Sequence, residues 1–158
     1  MVCVAAMKKI LFLDFDGVLN YTEFLSNLPR RPIIGTQSIE WWTECLDPSR
    51  VELVNEIVEK TGAQVVVSSS WRHGHQPIAL QAFLEHVGFR YQIIGVTPRG
   101  YGDRCDEIRQ WLKQNDADQF VILDDDDDAE IDGHFVQTNM KTGLTPEHAK
   151  AAIEILNA

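Results

Sequence analysis

Two acidic stretches carry the residues best suited to chemistry. In "LFLDFDGVLN", Asp14 and Asp16 flank one residue and precede Gly17; in "FVILDDDDDAEID", five aspartates, Asp124 to Asp128, follow four apolar residues. A run of like charge ordinarily marks a solvated or disordered tail. Here it is followed by patterned sequence, "GHFVQTNMKTGLT". Both acidic stretches sit directly behind apolar runs, "ILFL" and "FVIL", and a third apolar run, "VVV", ends in Ser68, Ser69 and Ser70. If these ends converge, they place a carboxylate pair, a hydroxyl and further carboxylates around one crevice, with Arg104 as a nearby cation. Carboxylates packed together raise one another's pKa or demand a positive charge. Magnesium takes oxygen ligands and commonly sits beside phosphate groups. On this reading the first aspartates of the run are metal ligands, and Asp126 to Asp128 are solvated.

The elements that must position these groups alternate. Short apolar runs closed by Gly or polar residues read as strands buried on both faces: "KKILFLD", "AQVVVSS", "YQIIGV" and "QFVILD", with "HFVQT" as a short fifth. Between them lie helical patterns. "DPSRVELVNEIVEKTG" offers Asp47 as N-cap, Pro48 in the first turn, Val51, Val54, Ile57 and Val58 on one face, and Gly62 as the stop. "QPIALQAFLEHVG" puts Ile78, Phe83, Leu84 and Val87 on its apolar face; "DRCDEIRQWLKQN" carries Ile108, Trp111 and Leu112; "TPEHAKAAIEILN" opens on Thr145 and Pro146. Strands alternating with helices predict an α/β fold, a parallel sheet with helices on both faces. Ligands of such a sheet sit outside the carboxyl ends of the strands, where strand order reverses. Tyr21 to Leu46 breaks the alternation and reads as an insert after the first strand, with a short helix in "SIEWWTECL". One domain over residues 1–158 is expected, without repeats or a linker.

Composition bounds the function. The 158 residues are 44 % hydrophobic and 24 % charged, ordinary for a globular domain. No apolar run approaches the roughly 18 residues of a membrane span. In "MVCVAAMKK" the lysines follow the apolar patch, so a secretory signal is not expected, and Met7 is an alternative start. Cys3, Cys45 and Cys105 are odd in number and far apart, which suits free thiols and a cytoplasmic location. A net charge of −10 argues against a broad surface tracking duplex nucleic acid, but not against recognition of one phosphate. No membrane contact and no obligate protein partner is expected.

The motifs resemble those of the haloacid dehalogenase (HAD) superfamily. "LFLDFDGVLN" resembles its first motif, "VVVSSSW" its second, Arg104 the cation of its third and "VILDDD" its fourth, in the family's order and over roughly Lys9 to Asn139. Within the superfamily, "SSSWR", "DEIRQWL" and "TNMKTGLT" are similar to the small phosphatase-like domains of bacterial and phage RNA-repair proteins. The resemblance implies a three-layer, Rossmann-like doubly wound sheet with at most a small cap, the insert over 21–46. It implies a Mg²⁺-dependent phosphomonoester hydrolase working through an aspartyl-phosphate. Asp14 would be the nucleophile and Asp16 the general acid and base; Ser68 and Arg104 would hold the phosphoryl oxygens. Asp14, Asp124, Asp125 and the backbone carbonyl of Asp16 would hold Mg²⁺. Gly17 suits the turn beyond.

Several assignments stay open. Arg99 and Lys113 rival Arg104 as the phosphate-binding cation, and Ser69 is the alternative to Ser68, or else a cap. Arg72, His73 and His75 are either substrate contacts or an exposed loop. "HGH" has zinc-like spacing but no partner ligand nearby. Trp41 and Trp42 either stack on a base or pack at the junction of insert and core. Arg30 and Arg31 are a solvated pair or a phosphate-backbone contact. An EF-hand reading of the Asp run fails, because counting from Asp124 puts Ala129 where the loop requires Gly, and counting from Asp128 places Gly133 correctly but puts Asn139 where a bidentate Glu belongs. With little cap, bulky substrates such as polynucleotide ends are expected. A sugar-phosphate or mononucleotide phosphatase is the alternative, and a receiver-like phospho-aspartate module a third, disfavoured because the middle strand ends in Ser.

Overall fold

The computed structural model describes residues 6–29 and 38–158. Cys3, Arg30 and Arg31 lie outside the described residues. Among the described residues five strands, β1 (Lys9–Leu13), β2 (Gln64–Val67), β3 (Ile93–Val96), β4 (Gln119–Asp124) and β5 (Phe135–Gln137), form one sheet in the order β3-β2-β1-β4-β5, every pair parallel. Six helices accompany them among the described residues: α1 (Thr22–Ser26), α2 (Ile39–Thr43), α3 (Pro48–Thr61), α4 (Pro77–His86), α5 (Arg104–Gln114) and α6 (Pro146–Leu156).

Alternation along the strands divides the core into two layers. Leu11, Leu13, Val65, Val67, Val121 and Leu123 face one side, with apolar residues of α3, α4 and α6 packed on them. Ile10, Phe12, Val66 and Ile122 face the other, against Ile108 and Trp111 of α5. Right-handed crossovers explain this division: the chain steps from β1 to β2 to β3 in one direction, then returns past β1 to β4, so α5 lands on the opposite face. The reversal falls between β1 and β4. That is the switch point, where doubly wound sheets hold ligands.

Local signals account for the helix ends. Asp47 accepts from the Ser49 N–H at the start of α3, and Gly62, at φ 73°, ends it. At the start of α6, His148 Nδ1 accepts from the Thr145 N–H while Thr145 Oγ1 accepts from the His148 N–H, so a histidine without other signal closes a capping box. Ile78 departs from expectation: it is 81 % exposed, and α4 packs through Leu80, Phe83 and Leu84 instead. Residues two apart on a helix point in nearly opposite directions, so once Leu80 is buried Ile78 faces solvent. Within the insert, α2 lies inside "SIEWWTECL", and α1 is an unexpected second short helix. Among the described residues no helix is long and apolar enough to cross a membrane.

Candidate active site

The three central strands end at one level. Leu13 is in register with Val67 on β2 and with Leu123 on β4. The next residues continue the ladder, Ser68 N–H donating to the Leu13 carbonyl at 3.0 Å and Asp14 N–H to the Leu123 carbonyl at 3.1 Å. Asp14, Ser68 and Asp124 are therefore fixed side by side at the switch point by main-chain geometry, and all three are buried.

Carboxylate oxygens of Asp14, Asp124 and Asp125 lie within 4.8 Å of one another. Arg104, in the first turn of α5, meets them: its Nη1 is 2.8 Å from Asp124 Oδ2 and 3.5 Å from Asp14 Oδ1. Burial, and then the neighbouring Asp124, push the Asp14 pKa well above the ordinary carboxylate range. Burial also raises Asp124 to about 6, against the opposing pull of the Asp126 N–H and Arg104. For Arg104, burial works against the charge, but Asp14 and Asp124 outweigh it and hold its pKa above the usual value. Three buried or half-buried carboxylates facing one guanidinium leave an excess of negative charge. A hard divalent cation with oxygen ligands fits this donor set, and Asp14, Asp124 and Asp125 would hold it.

The rest of the Asp run supports this triad or faces water. The Asp126 N–H donates to Asp124 Oδ1 at 3.0 Å, and Asp126 Oδ1 accepts from the Asp128 N–H at 3.1 Å. Asp126, Asp127 and Asp128 are exposed. The concentration of charge behind a buried strand thus divides into two carboxylates at the cluster, one turn-former and solvated acids.

The Asp16 carboxylate stands outside the triad. Trp71 Nε1 donates to its Oδ1 and Oδ2 at 3.3 and 3.2 Å, and Asn20 Nδ2 to Oδ1 at 2.9 Å. Asn20 Oδ1 in turn accepts from the Gly17 N–H, and the Gly17 carbonyl accepts from Thr138 Oγ1 at 2.7 Å. Gly17 has φ +79°, and a Cβ there would come within 2.5 Å of the Asp125 carboxyl carbon. Glycine is required twice over, for the left-handed backbone and for the space that Asp125 occupies.

Ser68 and Ser69 differ. Ser69 accepts from the Trp71 N–H and starts a short 3₁₀ turn, Ser70–His73. The Ser68 hydroxyl is buried and has no hydrogen-bond partner among the described residues. The two rival cations lie elsewhere: Lys113 is at the far end of α5, nine residues or about 13 Å from Arg104, and Arg99 Nη1 donates to the His73 carbonyl.

Arg72 departs from its expected place as a substrate contact. Its side chain is 2 % exposed and pairs with Glu107 at 2.6 Å. Nε donates to the Thr97 carbonyl, Nη1 to those of Ser68 and Ser69, and Nη2 to that of Pro98. All five donors of a guanidinium are thereby engaged, so Arg72 ties the end of β2 to the segment after β3 and to α5. His75 Nδ1 lies 3.0 Å from the Trp71 carbonyl, and its ring packs on Trp42 and Phe83. Sequence reasoning missed Asn20, Trp71 and Thr138. At β5 the apolar run turns polar one residue early, at Gln137, so the signal that found the others did not mark Thr138. Asn20 and Trp71 act through partners that no local pattern reveals.

A five-stranded, doubly wound parallel sheet with acids at the switch point is the HAD-type Rossmann-like fold. More specifically, residues 10–149 match the family described as the HAD domain in Swiss Army Knife RNA repair proteins, and the chain belongs to that family. No curated protein matches the chain.

Proposed function

We propose that the protein is a Mg²⁺-dependent phosphomonoester hydrolase that removes a terminal phosphate from nucleic acid. The observation that carries this reading is the division of the two acids of "DFD". Asp14 joins the carboxylate and Arg104 cluster, while Asp16, two residues on, is held outside it by Trp71 and Asn20. That separates a nucleophile from a proton carrier. The family's description, a domain of RNA repair proteins, supports a polynucleotide end as substrate.

In the first step an Asp14 carboxylate oxygen attacks phosphorus in line. The bond from phosphorus to the leaving oxygen breaks as the bond to Asp14 forms, and Asp16 gives that oxygen its proton. In the second step Asp16, now a carboxylate, takes a proton from water. The water oxygen attacks phosphorus, the Asp14–phosphorus bond breaks, and inorganic phosphate leaves. Arg104 and the Ser68 hydroxyl hold the phosphoryl oxygens as charge spreads over them. Asp14, Asp124 and Asp125 would hold the metal, which when bound would supply positive charge beside the phosphoryl group and favour the ionised form of Asp14.

Phosphate release is to be measured with Mg²⁺ and with chelator from 3′-phosphorylated and 5′-phosphorylated oligonucleotides and from mononucleotides, with Asp14→Asn alongside. Metal-dependent release from one oligonucleotide end, abolished in Asp14→Asn, is expected. Turnover confined to mononucleotides would move the protein among metabolite phosphatases. Release that persists in Asp14→Asn would remove Asp14 as nucleophile.

A further inference from the structure

The chemistry above leaves the tryptophans largely unused. Trp111 packs under the sheet against Phe12. Trp41, Trp42 and Trp71 gather on the other side, beside Asp16. Trp42 lies against Trp71 at 5.9 Å and Phe83 at 6.3 Å between ring centroids, and both tryptophans rest on the core. Trp41 is different. It meets the Trp42 ring edge-on at 4.8 Å, has no other ring contact among the described residues, and stays partly exposed.

These rings line two adjoining cavities. One, of about 310 Å³, is bordered by Asp16, Ser70, Trp71, Trp42 and His75. The other, of about 330 Å³, is bordered by Trp71, Trp42, Trp41, Glu44, Cys45 and Pro29. Trp42 and Trp71 belong to both, so a groove leads from the Asp16 carboxylate over the Trp71 indole to Trp41. Its volume suits a small organic group and not a folded partner.

We propose that this groove is a nucleobase subsite, which seats the base of the nucleotide whose phosphate is removed. The inference rests on the phosphatase reading given above and deepens it. Three features select this occupant. The groove begins at Asp16, the group assigned to protonate the leaving oxygen, so whatever carries that oxygen is directed into it. Its walls are aromatic faces and edges, which take flat rings by stacking or edge-on contact. No lysine or arginine borders either cavity among the described residues, which disfavours a sugar-phosphate backbone or a second phosphate. The acidic side chains of the lining, Asp16 and Glu44, likewise disfavour a second phosphate, and burial raises the Cys45 thiol to about 11, so that thiol is neutral at pH 7. A neutral planar ring satisfies all three; a polyol phosphate would leave the tryptophans without a stacking partner.

The test compares oligonucleotides phosphorylated at the 3′ or 5′ end whose terminal nucleotide either carries adenine or is abasic. Wild-type protein should favour the base-bearing end in kcat/KM by roughly tenfold, within the range that aromatic stacking on a base provides. In Trp41→Ala that ratio should fall towards one, and Trp41→Phe should keep most of it. Equal turnover of both ends by wild-type protein would overturn the subsite while leaving the phosphatase reading intact. If neither end releases phosphate, the polynucleotide-end reading fails by itself, and the groove is judged by tryptophan fluorescence on titration with adenosine and with ribose. Saturable quenching by adenosine alone, weakened in Trp41→Ala, would uphold a base site; no quenching, or equal quenching by ribose, would overturn it.

Discussion

The loop after β2 and the first turn of α5 each bring an arginine to the carboxyl edge of the sheet, and the two are built in opposite ways. Arg72 is closed: every donor is engaged, four contacts go to main-chain carbonyls, and its carboxylate partner, Glu107, is buried with it. Arg104 is open: its side chain is 17 % exposed and it leans on two aspartates through one terminal nitrogen. Burial and an acidic partner are common to both. What distinguishes them is spare donor capacity. A guanidinium that has used all its donors holds the fold together, whereas one with donors left over can take hold of a ligand. By that criterion Arg104, not Arg72, is the cation that would hold a phosphoryl group under the proposed chemistry.

Arg72→Ala should produce the largest effect. It strands the Glu107 carboxylate and four carbonyls, and breaking a buried pair in this way costs about 3–5 kcal/mol; urea unfolding should show it, together with loss of activity. Arg104→Ala should lower the unfolding midpoint less, because it strands no main-chain carbonyls and Asp124 can take up a proton or a cation instead, while lowering kcat by roughly 10²–10³, the loss expected on removing one stabilising donor from a developing charge. If Arg104→Ala unfolds as readily as Arg72→Ala, the contrast between open and closed arginines is void.

A third measurement sharpens the description of the open end. The raised pKa values of Asp14 and Asp124 mean that the metal-free fold favours their protonated forms. The unfolded chain releases those protons near pH 4, the folded chain only near pH 6 for Asp124, whose pKa is about 6. Chelated protein should therefore be most stable below about pH 4 with respect to these groups, and lose that contribution as pH rises through 6. A cation that binds the ionised carboxylates reverses the loss. The gap in Tm between Mg²⁺ and chelator should accordingly widen from pH 5 to pH 7.5, to a few degrees for a chain of this size. A gap that is absent or does not vary with pH would contradict the metal assignment. The smallest effect belongs to Asp127→Asn: its exposed carboxylate lies outside the triad, so stability and kcat should stay within about 0.5 kcal/mol of wild type.

The sequence made the sheet and the acidic cluster legible for one reason. A buried strand is a short apolar run, and the residue at which it turns polar marks the carboxyl edge, so Asp14, Ser68 and Asp124 could be located without knowing strand order. At β5 that rule points to Gln137, one residue short of Thr138. Ile78 was misplaced because a short amphipathic pattern permits two faces, and only the packing of Leu80 selects one. Arg72 was misread because its partners, Thr97, Pro98 and Glu107, lie 25 to 35 residues away. The hold of Trp71 on Asp16 spans 55 residues. Local patterns report which residues reach an edge. Which donors are already taken there is decided by tertiary contacts.

The lone hydroxyl of Ser68 has one more consequence. A buried donor without a partner costs a fold about 1–3 kcal/mol, and at Ser68 nothing in the described residues recovers that cost. Under the proposed chemistry the partner is the phosphoryl oxygen itself. Ser68→Ala should then yield a protein that withstands heat better and turns over more slowly, a trade of catalytic power for endurance. Durability and function would be set against each other at a single oxygen atom.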